Sequence, residues 1–223
     1  MVMCGRYSLG KKPKELPETQ PFTPRFNIAP AQDALVMAQD RSMRTMRWGL
    51  VPRWAAEENG GQKLINARSE TLSSKPAFKS SVVDRRCAVP ADSFYEWRRD
   101  GALKRPFRFM LRGEEPFFFA AIWDRWKRMD GSTLESFSII TTEANDLVRP
   151  IHDRMPVMLT EAAACKWLEA GSVDSSLLKP FPSDAMEFYP VSTRLNDPRH
   201  EDPLLIQRED VREALLPGFS LGE

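Results

Sequence analysis

One cysteine lies close to the start of the chain, within Met3-Cys4-Gly5-Arg6. If the residues before it are removed, Cys4 carries a free α-amine beside its thiol, and such a 1,2-aminothiol captures aldehydes. The amine forms a Schiff base, the thiol adds to it, and a thiazolidine ring closes because both nucleophiles belong to one residue. The alternative is a small residue that opens the first strand, and these four residues alone favour that alternative.

A carboxylate lies in the aromatic stretch Phe94-Tyr95-Glu96-Trp97. In a strand, Phe94 and Glu96 share one face while Tyr95 and Trp97 share the other. Aromatic surroundings would raise the pKa of Glu96, so that it could act as an acid or base near neutral pH. A glutamate at the rim of a sheet, held in a salt bridge, is the alternative interpretation.

Three further polar residues stand in apolar contexts. His152 could transfer protons, although a lone histidine often only hydrogen-bonds a loop backbone. Asn66 could orient an amine or a carbonyl through its amide, with an Asx-turn as the alternative, and Arg68 shares its face if the segment is extended. Condensation of an amine with an aldehyde needs an amine, a proton shuttle and a polar group that holds the amine. Together with Cys4 and Glu96, these residues could supply all three.

The charges of the chain are distributed unevenly. The first 112 residues carry 21 Lys and Arg against 11 Asp and Glu, whereas the remainder carry 11 against 20. Such asymmetry indicates an anionic partner such as nucleic acid, or two halves whose charges pair in the fold. The segment Trp48–Trp54 places two tryptophans beside Arg53, which could stack on bases. Buried indoles that anchor a loop are the alternative, and the segment alone favours that alternative.

Composition excludes several classes of protein. No apolar run approaches the roughly 20 residues of a membrane span, and no signal-peptide core follows Met1. The three cysteines are odd in number and lack C-x-x-C spacing, so we expect a reducing, cytoplasmic location without disulfides. With two histidines in the chain, a His-rich metal site is not expected. No cofactor is expected either.

The middle of the chain is rich in strand signals. Asp100-Gly101 and Asp130-Gly131 each predict a hairpin between apolar runs. The regular spacing of these turns favours a barrel-like or strongly bent sheet. Strands are predicted at residues 34–38, 43–48, 86–89, 93–98, 106–111, 117–123, 136–141 and 187–191.

Helices are predicted to be few and short. Thr160 is a good N-cap for a helix over 161–170, with Gly171 as its stop. Shorter helices are predicted over 75–79 and 143–148. We expect the tail from residue 196 to wrap the surface.

The sequence resembles the SRAP family, the SOS response-associated peptidases and abasic-site processing proteins. The similarity extends from Cys4 to about Val191. It rests on six motifs in the family's order and spacing: Met3-Cys4-Gly5-Arg6, Asn27-Ile28-Ala29-Pro30, Trp48-Gly49, Asn66-Ala67-Arg68-Ser69-Glu70-Thr71, Phe94-Tyr95-Glu96-Trp97 and His152-Asp153-Arg154-Met155-Pro156.

This resemblance implies an α+β fold: one domain over 1–223, with a core at about 4–191 and a tail at 196–223. Its core would be a β-barrel of mostly antiparallel strands flanked by short helices. The resemblance further implies a monomeric sensor of abasic sites in single-stranded DNA, which forms a covalent thiazolidine crosslink once per molecule during the DNA damage response. A peptidase or autopeptidase that uses Cys4 as its nucleophile is the alternative, and lyase-like chemistry is also implied.

The resemblance also assigns roles to residues. Cys4 is the nucleophile, Asn66 positions its amine, Glu96 transfers protons in Schiff-base formation and in reversal of the crosslink, and His152 helps to open the deoxyribose ring. Arg6, Arg68 and Arg154 contact phosphates, and Thr141 lines the pocket. The other residues expected to contact the DNA are Pro30, Trp48, Trp54, Arg85 and Trp97. Some relatives have a second tryptophan directly after the position of Trp54, where this chain has Ala55, which weakens the expectation of an aromatic wedge.

The family's cysteine normally follows the initiator Met, whereas Met1-Val2 precede Met3-Cys4 in this chain. Translation from Met3, or removal of the first three residues by the protein itself, would each expose Cys4. We favour translation from Met3.

Overall fold

Two β-sheets form the framework of the protein. The computed structural model describes residues 4–58, 64–101, 103–169 and 171–209. The strands, numbered along the chain, are β1 (Tyr7–Leu9), β2 (Arg25–Ile28), β3 (Asp33–Ala38), β4 (Met43–Trp48), β5 (Asn66–Arg68), β6 (Arg86–Ala91), β7 (Ser93–Asp100), β8 (Leu103–Leu111), β9 (Phe117–Lys127), β10 (Thr133–Glu143), β11 (Arg154–Pro156), β12 (Met158–Leu159) and β13 (Met186–Pro190).

The larger sheet closes on itself. Its strands follow the order β11-β10-β4-β3-β6-β9-β12, and an additional pairing of β9 with β10 joins five of them into a ring. Strand β10 pairs in parallel with β4 and β5, whereas the other pairings in this sheet are antiparallel. The predicted α+β class with a barrel-like core of mostly antiparallel strands is therefore confirmed.

The smaller sheet packs against this barrel through aromatic side chains. Its strand order is β13-β8-β7-β1-β2. The ring of Tyr7 in β1 makes edge contacts with Trp48 and Phe119 of the barrel, at centroid distances of 5.3 and 5.5 Å. Such aromatic pairs fix the orientation of one sheet on the other in addition to burying apolar area.

Both predicted hairpins are present. Gly101 joins β7 to β8 with φ of 62°, and Gly131 lies between β9 and β10 with φ of 84°. Glycine tolerates this left-handed conformation because it lacks a Cβ atom. The first hairpin is important for the site, because β7 carries Glu96.

The helical predictions were only partly right. Helix α2 spans Glu161–Leu168 and is capped by Thr160, whose side chain accepts from the Ala163 N–H; Glu169 is already extended, and Ala170 lies outside the described residues. Residues 75–79 form turns, and the short helix α1 follows at Ser81–Asp84.

Residues 143–148 do not form the predicted helix. Strand β10 continues to Glu143, because Glu143 pairs with Arg154 of β11. Asn145 then accepts the N–H of Val148 on its side-chain oxygen and makes a local turn. Such side-chain bonds compete with helix formation.

In the described part of the chain, the longest helix has eight residues, and none has the length and apolarity needed to cross a membrane. The same residues contain no cluster of three His, Cys, Asp or Glu side chains that could hold a metal ion.

Candidate active site

Cys4 is buried where the chain enters the smaller sheet. Strand β1 follows it and pairs with β7, and the Tyr95 N–H donates to the Arg6 carbonyl. This register places Cys4 beside Glu96, and the Cys4 N–H donates to Glu96 Oε1 at 2.7 Å. The nitrogen is an amide here. In a chain that begins at Cys4, the α-amine would occupy the same position.

Glu96 is buried, with 3% of its surface exposed. Burial raises its pKa to about 8 and Asp153 also raises it, whereas hydrogen bonds from the backbone of Cys4 and Trp97 lower it. Burial disfavours the ionised form because water is replaced by apolar side chains. Glu96 is thus poised to exchange a proton near neutral pH, as the aromatic stretch around it predicts.

The thiol of Cys4 has a different character. Burial raises its pKa well above the usual value, and the negative charge of Glu96 raises the pKa further. A thiol is a strong nucleophile only as the thiolate. This environment therefore holds the Cys4 sulfur as the thiol at neutral pH.

Asn66 approaches Cys4 from the barrel. Strand β5 pairs in parallel with β10 and places Asn66 opposite Ile139. The Asn66 side-chain amide donates to the Cys4 carbonyl at 3.4 Å. Cys4 is therefore held between Asn66 and Glu96, which belong to different sheets.

His152 presents one ring nitrogen to the site. Its Nδ1 accepts the Arg154 N–H at 3.0 Å, which leaves the proton of the neutral ring on Nε2. Among the residues that the structure describes, Nε2 is buried without a hydrogen-bond partner. Nδ1 also lies 3.1 Å from the carboxylate of Asp153, which would pair with a protonated ring.

A groove of about 530 Å³ runs past these residues, and both Glu96 and His152 line it. Its remaining walls come from the start of the chain, the β7–β8 hairpin and the C-terminal segment. They are formed by Gly5, Arg6, Pro30, Trp97, Arg99, Lys104 and Asn196.

Arg6 on the groove wall is held by its protein neighbours. Its Nη1 donates to Asn27 Oδ1 at 2.6 Å and to the Leu195 carbonyl at 2.8 Å. Its guanidinium lies over the ring of Trp97, 5.7 Å from the centroid. Burial lowers the pKa of Arg6, but a guanidinium remains charged at neutral pH.

Asn27 makes contacts around Arg6 that were not predicted from the sequence. It is fully buried, and its amide nitrogen donates to the carbonyls of Leu195, Asp197 and His200. Asn27 thereby connects Arg6 to the C-terminal segment. Its place in the Asn27-Ile28-Ala29-Pro30 motif was the only signal available in the sequence.

Arg154 on β11 and Thr141 on β10 lie next to each other. Arg154 Nη2 donates to the Thr141 carbonyl at 2.8 Å and to the carboxylate of Glu70 at 2.9 Å. The hydrogen bond from Arg154 lowers the pKa of Glu70. Thr141 is fully buried, and in the described part of the protein its hydroxyl has no hydrogen-bond partner. Arg68 is exposed opposite Thr141 in the β5–β10 pairing.

Two predicted DNA contacts are wrong. Trp48 is fully buried, stacks with Phe137 and donates its indole N–H to the Ile65 carbonyl. Arg85 is 7% exposed and pairs with Asp124 and Asp84. Neither side chain faces a groove, because the barrel core holds Trp48 and the carboxylates hold Arg85. Trp54, in contrast, is 65% exposed.

Fold and site together define a class of protein: a β-barrel that holds a cysteine near the start of its chain between a buried carboxyl and an amide, at the edge of a basic groove. The family model described as SOS response associated peptidase (SRAP) matches residues 3–198. The chain belongs to this family.

Similar proteins carry names that describe one process. The chain is 42% identical to the abasic site processing protein YoqW of Bacillus subtilis, over 92% of this chain and 99% of that protein. It is 29% identical to the abasic site processing protein HMCES of Xenopus tropicalis, over 83% of this chain and 66% of that protein. A crystal structure of a protein from Bacteroides thetaiotaomicron matches with a TM-score of 0.77 at 33% identity, covering 82% of this chain and 85% of that one.

Proposed function

We propose that this protein processes abasic sites in single-stranded DNA, and that Cys4 forms a thiazolidine crosslink with the ring-opened sugar once the residues before it are removed. The observation that carries the proposal is the 2.7 Å contact between the Cys4 nitrogen and the buried Glu96 carboxyl. The names of the similar proteins support the abasic site as the substrate.

The reaction needs only groups that the site contains. The Cys4 amine attacks the aldehyde carbon, and the ionised form of Glu96 carries a proton from the nitrogen to the aldehyde oxygen. Glu96 then carries the second proton from the nitrogen to the resulting hydroxyl, and water leaves as the Schiff base forms. The thiol adds to the Schiff-base carbon and its proton passes to the nitrogen, so aldehyde and aminothiol become thiazolidine and water.

Asn66 and His152 act before and during this step. The Asn66 amide holds the Cys4 carbonyl, which orients the amine toward the groove. The Nε2–H of His152, which has no partner among the described residues, donates to the ring oxygen of the sugar and favours the open aldehyde. Arg6, Arg68 and Arg154 contact the flanking phosphates.

A second candidate is cleavage of the Met3–Cys4 peptide bond by the protein itself. The nitrogen that would leave in this reaction is the one in contact with Glu96. Water would add to the Met3 carbonyl, and a carboxyl whose pKa is about 8, which is largely protonated at neutral pH, could protonate the Cys4 nitrogen as the C–N bond breaks. The product of this cleavage would be the aminothiol that the first function requires.

A denaturing gel tests the proposed crosslink, and the loss of the first three residues tests self-cleavage. Protein that begins at Cys4 is incubated with an abasic oligonucleotide, beside Cys4→Ala and Cys4→Ser variants. We expect a heat-stable adduct only with the unchanged chain. An equal adduct with Cys4→Ala would overturn the proposed crosslink, whereas loss of the Met1–Met3 segment from a full-length chain over time would support self-cleavage.

A further inference from the structure

The tip of the β7–β8 hairpin brings like charges together. Arg99 lies directly opposite Lys104, and Arg98 lies opposite Arg105. Like charges in directly opposite positions destabilise an antiparallel pair. The hairpin does not need these cations in order to fold, so we expect them to have a role in binding.

Only one of the two pairs faces the site. Arg99 and Lys104 are exposed and line the groove that contains Glu96 and His152. Across the ranges that the structure describes, neither of their side chains forms a hydrogen bond or an ion pair. Arg98 instead places its guanidinium over the ring of Phe107, 5.2 Å from the centroid.

The C-terminal segment holds this part of the hairpin in place. The Trp97 indole N–H donates to Asn196 Oδ1 at 2.6 Å, and the Asn196 amide donates to the Lys104 carbonyl at 3.3 Å. The two cations therefore project from a supported strand pair. Directly opposite residues have Cβ atoms about 5 Å apart, so one phosphate can contact both side chains.

The distance from the reactive site fits a neighbouring nucleotide. Arg99 is three residues beyond Glu96 on β7, which corresponds to roughly 10 Å along the strand. Stacked nucleotides rise about 3.4 Å per strand. Arg99 and Lys104 therefore lie up to about three nucleotides from the sugar that reacts with Cys4.

We propose that Arg99 and Lys104 form a phosphate clamp, which binds the DNA backbone on one side of the abasic nucleotide and takes no part in the chemistry. The proposal rests on the proposed function, because it assumes that DNA occupies this groove. It also predicts a polarity of binding: the clamp contacts the DNA on either the 5′ or the 3′ side of the abasic nucleotide, but not on both.

The test measures reversible binding of two oligonucleotides that carry a tetrahydrofuran abasic analogue, which has no aldehyde. One is extended only on the 5′ side of the analogue and the other only on the 3′ side. Arg99→Gln/Lys104→Gln is compared with the unchanged chain. The control Lys127→Gln/Lys166→Gln removes the same charge from exposed positions that do not line the groove.

We expect the clamp variant to weaken binding of one oligonucleotide only. For that one, the slope of log K against log salt should fall in magnitude by about 0.7, the value for one phosphate contact on a single strand. The control should leave both slopes and the crosslinking at saturating abasic DNA unchanged.

Three results would overturn the proposal. They are unchanged slopes in the clamp variant, equal losses for the two oligonucleotides, or an equal loss in the control. Failure of the unchanged chain to bind either oligonucleotide would overturn the proposed function itself. Thermal unfolding checks the fold, and the clamp variant should be no less stable because it relieves a like-charge pair.

Discussion

Cys4 and Glu96 are 92 positions apart in the sequence, and the Cys4 N–H donates to Glu96 Oε1 at 2.7 Å. The two residues meet because β1 pairs with β7 immediately after Cys4. A buried carboxyl with a raised pKa thus faces the nitrogen on which the proposed chemistry depends. The predictions below follow from this contact and from the elements that support it.

Glu96 should make stability depend on pH. Its pKa is about 8 in the folded protein and 4.5 in the reference state. Between these values the folded protein retains a proton that the unfolded chain releases, so the free energy of unfolding should fall as pH rises and level off above about pH 8. The total change should be on the order of 5 kcal/mol, because each pKa unit between the two values corresponds to about 1.4 kcal/mol.

The pH dependence can be measured by urea unfolding at a series of pH values. In Glu96→Gln the fall in the free energy of unfolding with rising pH that Glu96 causes should disappear, because the amide does not titrate. Crosslinking by the same variant should slow by about 10²–10⁴, the usual contribution of a general acid–base group. If the free energies of unfolding of the two proteins changed with pH in the same way, Glu96 would not have the raised pKa.

Asn27 should act on DNA binding through Arg6. Asn27→Ala removes one of the two acceptors of Arg6 Nη1 and leaves the half-buried carbonyls of Asp197 and His200 without this donor, at a cost of about 1–3 kcal/mol in stability. DNA affinity should fall roughly tenfold, since hydrogen bonds to charged groups contribute about 1.5–3 kcal/mol. The crosslinking rate at saturating DNA should change little.

A double-mutant cycle with Arg6→Gln distinguishes positioning from general destabilisation. If Asn27 works through Arg6, the double variant should bind DNA no more weakly than Arg6→Gln alone. Additive losses of affinity would mean that Asn27 has only a structural role.

The two tryptophans of the Trp48–Trp54 segment should behave in opposite ways. Trp48→Ala should destabilise the fold by about 3–5 kcal/mol, because it leaves a cavity in the barrel. Trp54→Ala should barely affect stability, but should weaken DNA binding by about 1–3 kcal/mol if a base stacks on this exposed ring. Thermal unfolding and equilibrium binding of both variants test this contrast.

Sequence reasoning predicted the environment of Glu96 better than it predicted which side chains are exposed. The aromatic neighbours of Glu96 predicted its raised pKa because they adjoin it along one strand. The resemblance placed Trp48 beside the DNA, whereas the segment itself favoured a buried indole, and Met46, two residues earlier and also buried, indicates a shared inward face. Arg85 was misplaced because its partner Asp124 is distant in sequence, and only the β6–β9 region of the barrel brings them together.

The assembly of the site depends on strand register, which local patterns do not encode. Nothing near Asn66 indicates that β5 pairs in parallel with β10 and so reaches Cys4. The role of Asn27 likewise requires the C-terminal segment to return to β2. The site is therefore assembled by the pairing of strands that are distant in sequence, which the motifs alone do not predict.

The most direct test compares two preparations of the protein, one that begins at Cys4 and one that retains Met3. Each is mixed with abasic single-stranded DNA and analysed by intact mass under denaturing conditions. The account predicts a species equal to protein plus DNA minus one water in the first preparation only. The same adduct on chains that keep Met3 would contradict the account, because their Cys4 nitrogen is an amide and cannot form the thiazolidine.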